Sequence, residues 1–394
     1  MSRRILVLDS YAHTLAVVRS LSRSGYQVTT GVDSDSADFN YVRRSRYVRS
    51  SWVHPPINDN SDRFLRALLG FLEATPDLGL IYPVGERSVR YLAKTRTRIP
   101  ERVAIIMPPN EILSACLDKP TAYRIAEECG VPVPDTRTVG SAEELREAID
   151  DLGLPSIVKA LDSTHSVKGK KCIFIHDKAG IDRLADEWPE EHDRLIVQNE
   201  IRGTRYNCDI VASNGKIEDY FESEILRTDR ADYSGISVLD RSMAPDPAHR
   251  RYCEQFVSRL GYTGLTLIQF LKDASTGSSY FLEANPRTGA TIALSVHCGL
   301  DLPADAVRAC TQKSLSASDN YPLNVRQYWL MGDLRGVRRS LKEGDIGVSQ
   351  LPRELASVIG NGLRANCHRT FSWRDPKPIS KIIRNDLRRM IRKL

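Results

Sequence analysis

The chain has 394 residues, 41% of them apolar and 27% charged, and a formal net charge of +6. That length allows two or three domains with sizeable cores, and no apolar run approaches the ~20 residues of a membrane-spanning helix. The positive charge is local. Residues 362–394 hold ten Lys/Arg against two Asp and leave the remainder at −2, so the surplus does not mark a nucleic-acid-binding body, and no specific nucleic-acid partner is expected.

The chain opens MSRRILVLDS, and its apolar run Ile5–Leu8 stops at Asp9. A signal-peptide core would need ~7–15 apolar residues. The eight cysteines are scattered, with no CxxC. Reduced thiols and a cytoplasmic location are expected. Residues 4–8 read as a strand, the apolar pattern through Leu21 as a helix closing at Gly25, and Gln27–Val32 as a second strand. This β–α–β opening predicts a Rossmann-like layered unit. The turn Asp9-Ser10-Tyr11-Ala12-His13 lacks GxGxxG, so no dinucleotide site is expected there and His13 reads as a turn residue. The Arg- and Tyr-rich stretch ending at Ser51 reads as a solvated connection or as part of an anion site. Leu78–Val84 is a strand opening into Gly85-Glu86-Arg87 at the mouth of a helix.

Pro108-Pro109 marks a boundary. A helix follows Lys119-Pro120 and ends before Gly130, the usual proline-first, glycine-last asymmetry. The strand through Ile157-Val158 ends on Lys159, and the basic loop Ser163–Lys171 leads to a strand at Cys172–Ile175. Leu195–Gln198 is another strand, running into Asn199-Glu200-Ile201. Asn207–Val211 and Ile217–Phe221 form a hairpin turned at Asn214-Gly215, and Ala248–Leu260 is a helix stopped by Gly261. The segments Leu265–Leu271 and Tyr280–Leu282 flank a turn-rich stretch and form a second hairpin. Residues two apart in a strand share a face. Glu283 and Asn285 therefore point together, with Gln269 opposite. One carboxylate and two amide oxygens suit a hard cation such as Mg²⁺, and Arg287 follows as a fixed cation suited to charge that develops in phosphoryl transfer. Read alone, each of these residues also fits an ordinary solvated hairpin edge. Ile379–Leu394 has apolar residues at helical spacing with a cationic opposite face. It is expected either to pack on its own domain or to touch an anionic membrane or an acidic partner.

Lys119, GVPVP, IVK at 157–159, VQNEI at 197–201, IQF at 268–270 and LEANPR at 282–287, in that order, resemble the ATP-grasp superfamily. The flavour is that of the synthetase halves of carbamoyl phosphate synthetase and of carboxylate–amine ligases such as D-alanine–D-alanine ligase. The resemblance implies an α/β and α+β architecture. A Rossmann-like pre-ATP-grasp domain over 1–115 precedes an ATP-grasp domain over 116–315, whose two α+β subdomains grip ATP, with a lid subdomain about 153–200. Residues 316–394 form a C-terminal extension ending in a basic amphipathic helix. It implies ATP and Mg²⁺, or Mn²⁺ in its place, with metal ligands Gln269, Glu283 and Asn285. Lys119 and Lys159 would contact phosphates. Lys168, Lys170 and Lys171 would act from the lid, which carries only Gly169 where relatives are glycine-rich. Gln198, Asn199 and Ile201 would read adenine, and Arg287 would steady the transferring phosphoryl group. Arg205 stands where an acidic ribose contact is usual. Asp240 and Arg241 lie where relatives approach triphosphate or substrate, and Arg241 is a catalytic candidate. The implied reaction is ADP-forming ligation of a small-molecule carboxylate to an amine. A kinase on the same fold and a non-catalytic nucleotide-binding scaffold are the alternatives, and a homodimer is the default assembly.

Overall fold

The computed structural model describes residues 3–58, 62–161, 165–189, 191–313 and 318–391. Its strands fall into three sheets. The first holds β1 (Arg4–Leu8), β2 (Gln27–Asp33), β3 (Ser50–His54), β4 (Leu78–Pro83) and β5 (Ala104–Ile105), all parallel, in the order β3-β2-β1-β4-β5. Its inner strands are buried on both faces, as is usual in parallel sheets; Ile5, Leu6, Val7 and Leu8 have no exposed surface, while the edge strand β3 exposes Val53. This is the expected β–α–β opening, with the helix Thr14–Arg23 as the first crossover.

The second sheet contains β6 (Thr136–Val139), β7 (Ser156–Ala160), β8 (Ile173–Ile175) and β9 (Leu195–Asn199), in the order β6-β9-β7-β8. The third is a seven-stranded sheet of β10 (Gly203–Ser213), β11 (Lys216–Thr228), β12 (Ser237–Ser242), β13 (Gly264–Asp273), β14 (Ser279–Asn285), β15 (Arg326–Tyr328) and β16 (Cys367–His368), in the order β14-β13-β10-β11-β12-β15-β16. Both hairpins expected from the sequence are present, β10–β11 and β13–β14. Local signals set the helix ends. Asp118 caps the helix Lys119–Glu128 by accepting from the Thr121 amide, and Asp246 caps Pro247–Leu260, which ends on Gly261 at φ 58°.

The chain beyond residue 316 is woven into the rest. β15 and β16 extend the seven-stranded sheet past β12. Asp375 then ties the C-terminal region to the first sheet's layer. It accepts from Arg19 Nε at 2.9 Å, Ser45 Oγ at 2.7 Å and the Arg46 amide at 3.0 Å, with the Arg19–Asp375 pair buried. The last helix, Lys377–Ile391, buries Ile382 and packs against the short helical turns Ser34–Phe39 and Val42–Arg44. Its expected final residues 392–394 lie outside the described residues. No helix among the described residues is long and apolar enough to cross a membrane.

Candidate functional site

The hairpin register brings the key side chains together. In antiparallel pairing, opposite residues share a face. Gln269 faces Glu283, Leu267 faces Asn285, and on the neighbouring strand Asn207 faces Gln269. Gln269 Nε2 donates to Asn207 Oδ1 at 2.5 Å, which leaves the Gln269 amide oxygen for another partner. Asn285 Nδ2 donates to Glu283 Oε1 at 2.8 Å, and Arg287 Nη2 donates to Asn285 Oδ1 at 3.1 Å. The turn carrying Arg287 lies tight on the sheet. A Cβ on Gly289 would sit 2.7 Å from Asp209 Oδ1 and 2.9 Å from Leu267 Cδ2, so only glycine allows this approach. Thr291 anchors the same turn by donating to Asp209 Oδ2 at 2.9 Å. Burial pushes the Asp209 carboxyl up to about 7.

Two lysines complete the cluster. Lys119 Nζ donates to the Ala160 carbonyl at 2.9 Å, at the end of β7. Lys159 Nζ donates to Tyr123 Oη at 2.8 Å, and Tyr123 Oη donates to the Leu282 carbonyl at 3.1 Å. Tyr123, from the helix Lys119–Glu128, thereby bridges the second sheet to the hairpin. Burial lowers both ammonium groups, Lys159 to about 8, while Glu283 opposes the shift. Burial alone would raise the Glu283 carboxyl. Lys119, the Asn285 amide, Lys171 and Arg287 outweigh it and hold the group below the usual carboxylate value. An ionised carboxylate with two amide side chains is an oxygen-donor set that fits Mg²⁺. Asn285 would have to turn its amide oxygen from Arg287 toward the ion, a rotation about one soft terminal torsion.

The other expected site residues divide. Lys171 is near enough to act on Glu283 and Lys119. Lys168 is ion-paired with Glu187 instead, and Lys170 uses its backbone to close a turn with Val167. Ser163 and Thr164 of the expected lid lie outside the described residues. Gln198 is fully buried on β9, donating to Thr136 Oγ1 at 2.6 Å. Gln198 Oε1 and Asn199 Oδ1 are buried without a hydrogen-bond partner, which suits a polar ligand beside them. Ile201 follows, half-buried. Arg205 donates to the Gly235 carbonyl at 2.9 Å; burial lowers its guanidinium, against the opposing pull of Glu283 and Asp240.

Arg241 is not brought to this cluster. It pairs with Glu224, which sits opposite Tyr206, one residue out of phase with Asn207. Strand alternation therefore sends Arg241 to the other face of the sheet. Asp240 is the neighbour on the site's face, buried, and held by Arg369 Nη2 at 3.2 Å and Gln327 Nε2 at 3.2 Å.

Residues from the first sheet's loops close the cluster's far side, and these the sequence did not identify as site residues. Arg287 Nη2 lies 3.7 Å from Glu86 Oε2, at the start of the helix Glu86–Thr95. Tyr11 stacks on His13 with centroids 5.4 Å apart. His13 is pushed down to about 3 by burial and then by Arg287 and Arg369, so it is neutral, and its Nε2 has no hydrogen-bond partner. Asp9 accepts from the Gly85 amide at 2.7 Å and fixes the two loops to each other.

Comparison with solved structures decides the fold. Biotin carboxylase from Campylobacter jejuni, solved as a β,γ-ATP complex, superposes with a TM-score of 0.66 over 83% of this chain and 74% of that one, at 16% identity. The ADP complex of N5-carboxyaminoimidazole ribonucleotide synthetase superposes at 0.64 over 82% and 80%, at 15% identity. Residues 191–329 match a family profile described as an ATP-grasp in the biosynthetic pathway with Ter operon. The chain has the fold of these two enzymes, and within it residues 191–329 resemble an ATP-grasp domain.

Among curated proteins, this chain is 25% identical over 228 residues to the C-terminal section of the carbamoyl phosphate synthase large chain of Methanopyrus kandleri. That match covers 55% of this chain and 38% of the relative. It is 26% identical over 192 residues to a D-alanine–D-alanine ligase of a Thermoanaerobacter species, covering 45% and 52%. The chain thus spans about two-fifths to half the length of these relatives.

Proposed function

We propose that this chain is an ADP-forming carboxylate ligase. A substrate carboxylate oxygen attacks the γ-phosphorus of ATP, the bond to the β–γ bridging oxygen breaks, and acyl phosphate and ADP result. An amine or similar nucleophile then adds to the acyl carbon, phosphate leaves, and the amine proton passes to solvent. The carboxylate is a poor electrophile until phosphorylated. The chain's task is then positioning and charge stabilisation rather than covalent chemistry.

The observation that carries this reading is the single cluster made by Gln269, Glu283, Asn285 and Arg287 from one hairpin with Lys119 and Lys159 from the adjoining helix and sheet. In this assignment Lys119 and Lys159 hold phosphate oxygens, with Lys171 approaching from the lid. Gln198, Asn199 and Ile201 line the adenine end. Gln269, Glu283 and Asn285 hold Mg²⁺, which when bound would screen the triphosphate charge. Arg287 steadies the transferring phosphoryl group. We assign 1–115 to the leading domain and 116–315 to the grasp, with the carboxylate entering between Arg287 and the Tyr11, His13 and Glu86 side chains. The C-terminal region adds β15, β16 and Arg369 behind Asp240. The names of the relatives, carbamoyl phosphate synthase and D-alanine–D-alanine ligase, support the same class.

The test is ADP release by the purified chain with Mg-ATP and panels of carboxylates and amines. Release dependent on both substrates, and lost in Glu283→Ala, is expected. Equal release from the two proteins would remove the assigned metal site. A phosphate ester in place of an amide product would make the enzyme a kinase.

A further inference from the structure

On the face of the seven-stranded sheet turned away from the nucleotide cluster, four side chains with metal-binding atoms meet in the core. Cys208 on β10 lies opposite Glu222 on β11. The helix Pro247–Leu260 packs across them and presents His249 and Cys253, four residues apart and so on one helical face. Cys208, His249 and Cys253 have no exposed surface, and Glu222 is 1% exposed. The Cys208 sulfur, a Glu222 oxygen and a His249 ring nitrogen all lie within 4.8 Å of one another. Cys253 lies beside Cys208, with its sulfur outside that 4.8 Å group.

We infer that Cys208, Glu222 and His249, with the neighbouring Cys253 thiol turned in as the fourth ligand, form a structural zinc site that pins this helix to the sheet. Two sulfurs, one imidazole nitrogen and one carboxylate oxygen are a closed tetrahedral set of the kind Zn²⁺ takes. The surrounding contacts engage the ligand residues' other polar atoms. At 2.7 Å His249 Nδ1–H donates to Glu222 Oε1; on metal binding that proton would move to Nε2, which then donates to Ser279 Oγ 2.7 Å away and frees the Nδ1 lone pair for the ion. Glu222 Oε2 accepts from Tyr220 Oη at 2.8 Å and from the Asp246 amide at 2.9 Å, which leaves Oε1 for the ion. The imidazole is stacked on Phe270, centroids 4.6 Å apart and 6° from parallel, and cannot swing away. Such outer contacts orient metal ligands and set the histidine tautomer. Two ligands of one tetrahedral zinc stand about 3.3 Å apart when each bond is about 2.0 Å. The Nδ1–Oε1 pair therefore opens slightly as the ion enters. Binding releases both thiol protons, and two thiolates plus Glu222 against Zn²⁺ leave the site at −1. The site is buried and has no position for a substrate, and its sulfur donors separate it from the oxygen-donor cluster across the sheet.

The experiment uses the full chain, purified without chelator. One zinc per chain by elemental analysis is expected. After chelation, Co²⁺ should produce a thiolate-to-cobalt charge-transfer absorption. That band should persist in Glu283→Ala and be lost or strongly reduced in Cys253→Ser. Added zinc should raise the Tm of the chelated protein. A folded metal-free protein with no cobalt–thiolate band would overturn the site and leave a plain hydrogen-bonded cluster. So would a band unchanged in both Cys208→Ser and Cys253→Ser. The wild-type cobalt titration decides the matter even if a variant fails to fold.

Discussion

The two faces of the seven-stranded sheet are built from the same strands, yet they share no chemistry. One face carries Asn207, Asp209, Gln269, Glu283 and Asn285, and they hydrogen-bond among themselves and with the turn that bears Arg287 and Thr291. The other carries Cys208, Ile210, Ile268, Phe270 and Phe281 against the helices Lys119–Glu128 and Pro247–Leu260. A shift of one residue along a strand changes the face. Asp240 and Arg241 are the clearest pair. Asp240 joins Arg369 and Gln327 on the face that carries Glu283, while Arg241 pairs with Glu224 on the side of Tyr206. The hydrogen-bond ladder, and not the residue type, decides which charge can reach the chemistry.

Four substitutions test how sharply the faces are divided. The largest effect is expected from Asp240→Ala, which strands the buried Arg369 guanidinium. Losing one partner of a buried ion pair costs about 3–5 kcal/mol, measured as a fall in denaturant midpoint; a change under about 1 kcal/mol would mean Arg369 finds another partner. Next is Arg287→Ala, which removes the cation from the site face without opening the core. Turnover should fall about 10²–10³-fold with little change in Tm.

Third is the pH response of Lys159, pushed down to about 8 by burial. Nucleotide affinity should weaken as pH rises through about 8, by at most about tenfold per pH unit for one proton, and Lys159→Arg should flatten that profile. The stability of the nucleotide-free protein should move the other way. Between about 8 and the ordinary lysine value the unfolded chain binds this proton and the folded one does not, so this group's contribution to stability rises with pH. The smallest effect belongs to Arg241→Ala. Its partner lies on the far face and the pair is partly exposed, so turnover should stay within about twofold and stability within about 1 kcal/mol. A large loss of turnover there would break the division between the faces.

Legibility followed the range of the interactions. The hairpin at Gly264–Asn285 was readable because alternation, a turn and the LEANPR segment are all local, and its register placed Gln269 opposite Glu283 as expected. The proline-first start at Lys119-Pro120 and the stop at Gly261 were marked by their own residues. The parts played by Tyr123, Asp209, His13 and Glu86 were not. Each lies far along the chain from the hairpin it serves, and nothing in its neighbourhood records that partner. Lys168 shows the same limit, since a lysine in a basic loop carries no sign that Glu187 will take it.

The amino-acid sequence by itself determined most strands and helices up to the second hairpin, the points at which several of them stop, and which residues of that hairpin share a face, because periodicity and turn chemistry act over a few residues. The tertiary structure alone decided that β15 and β16 complete the sheet begun at β10, and that Asp375 locks the C-terminal region to Arg19. It also decided that Asp240 rather than Arg241 shares the face of Gln269 and Glu283. Those outcomes depend on pairing and burial between segments far apart in the chain. Such contacts form only when the desolvation of each buried charge is offset by a partner that the fold brings to it.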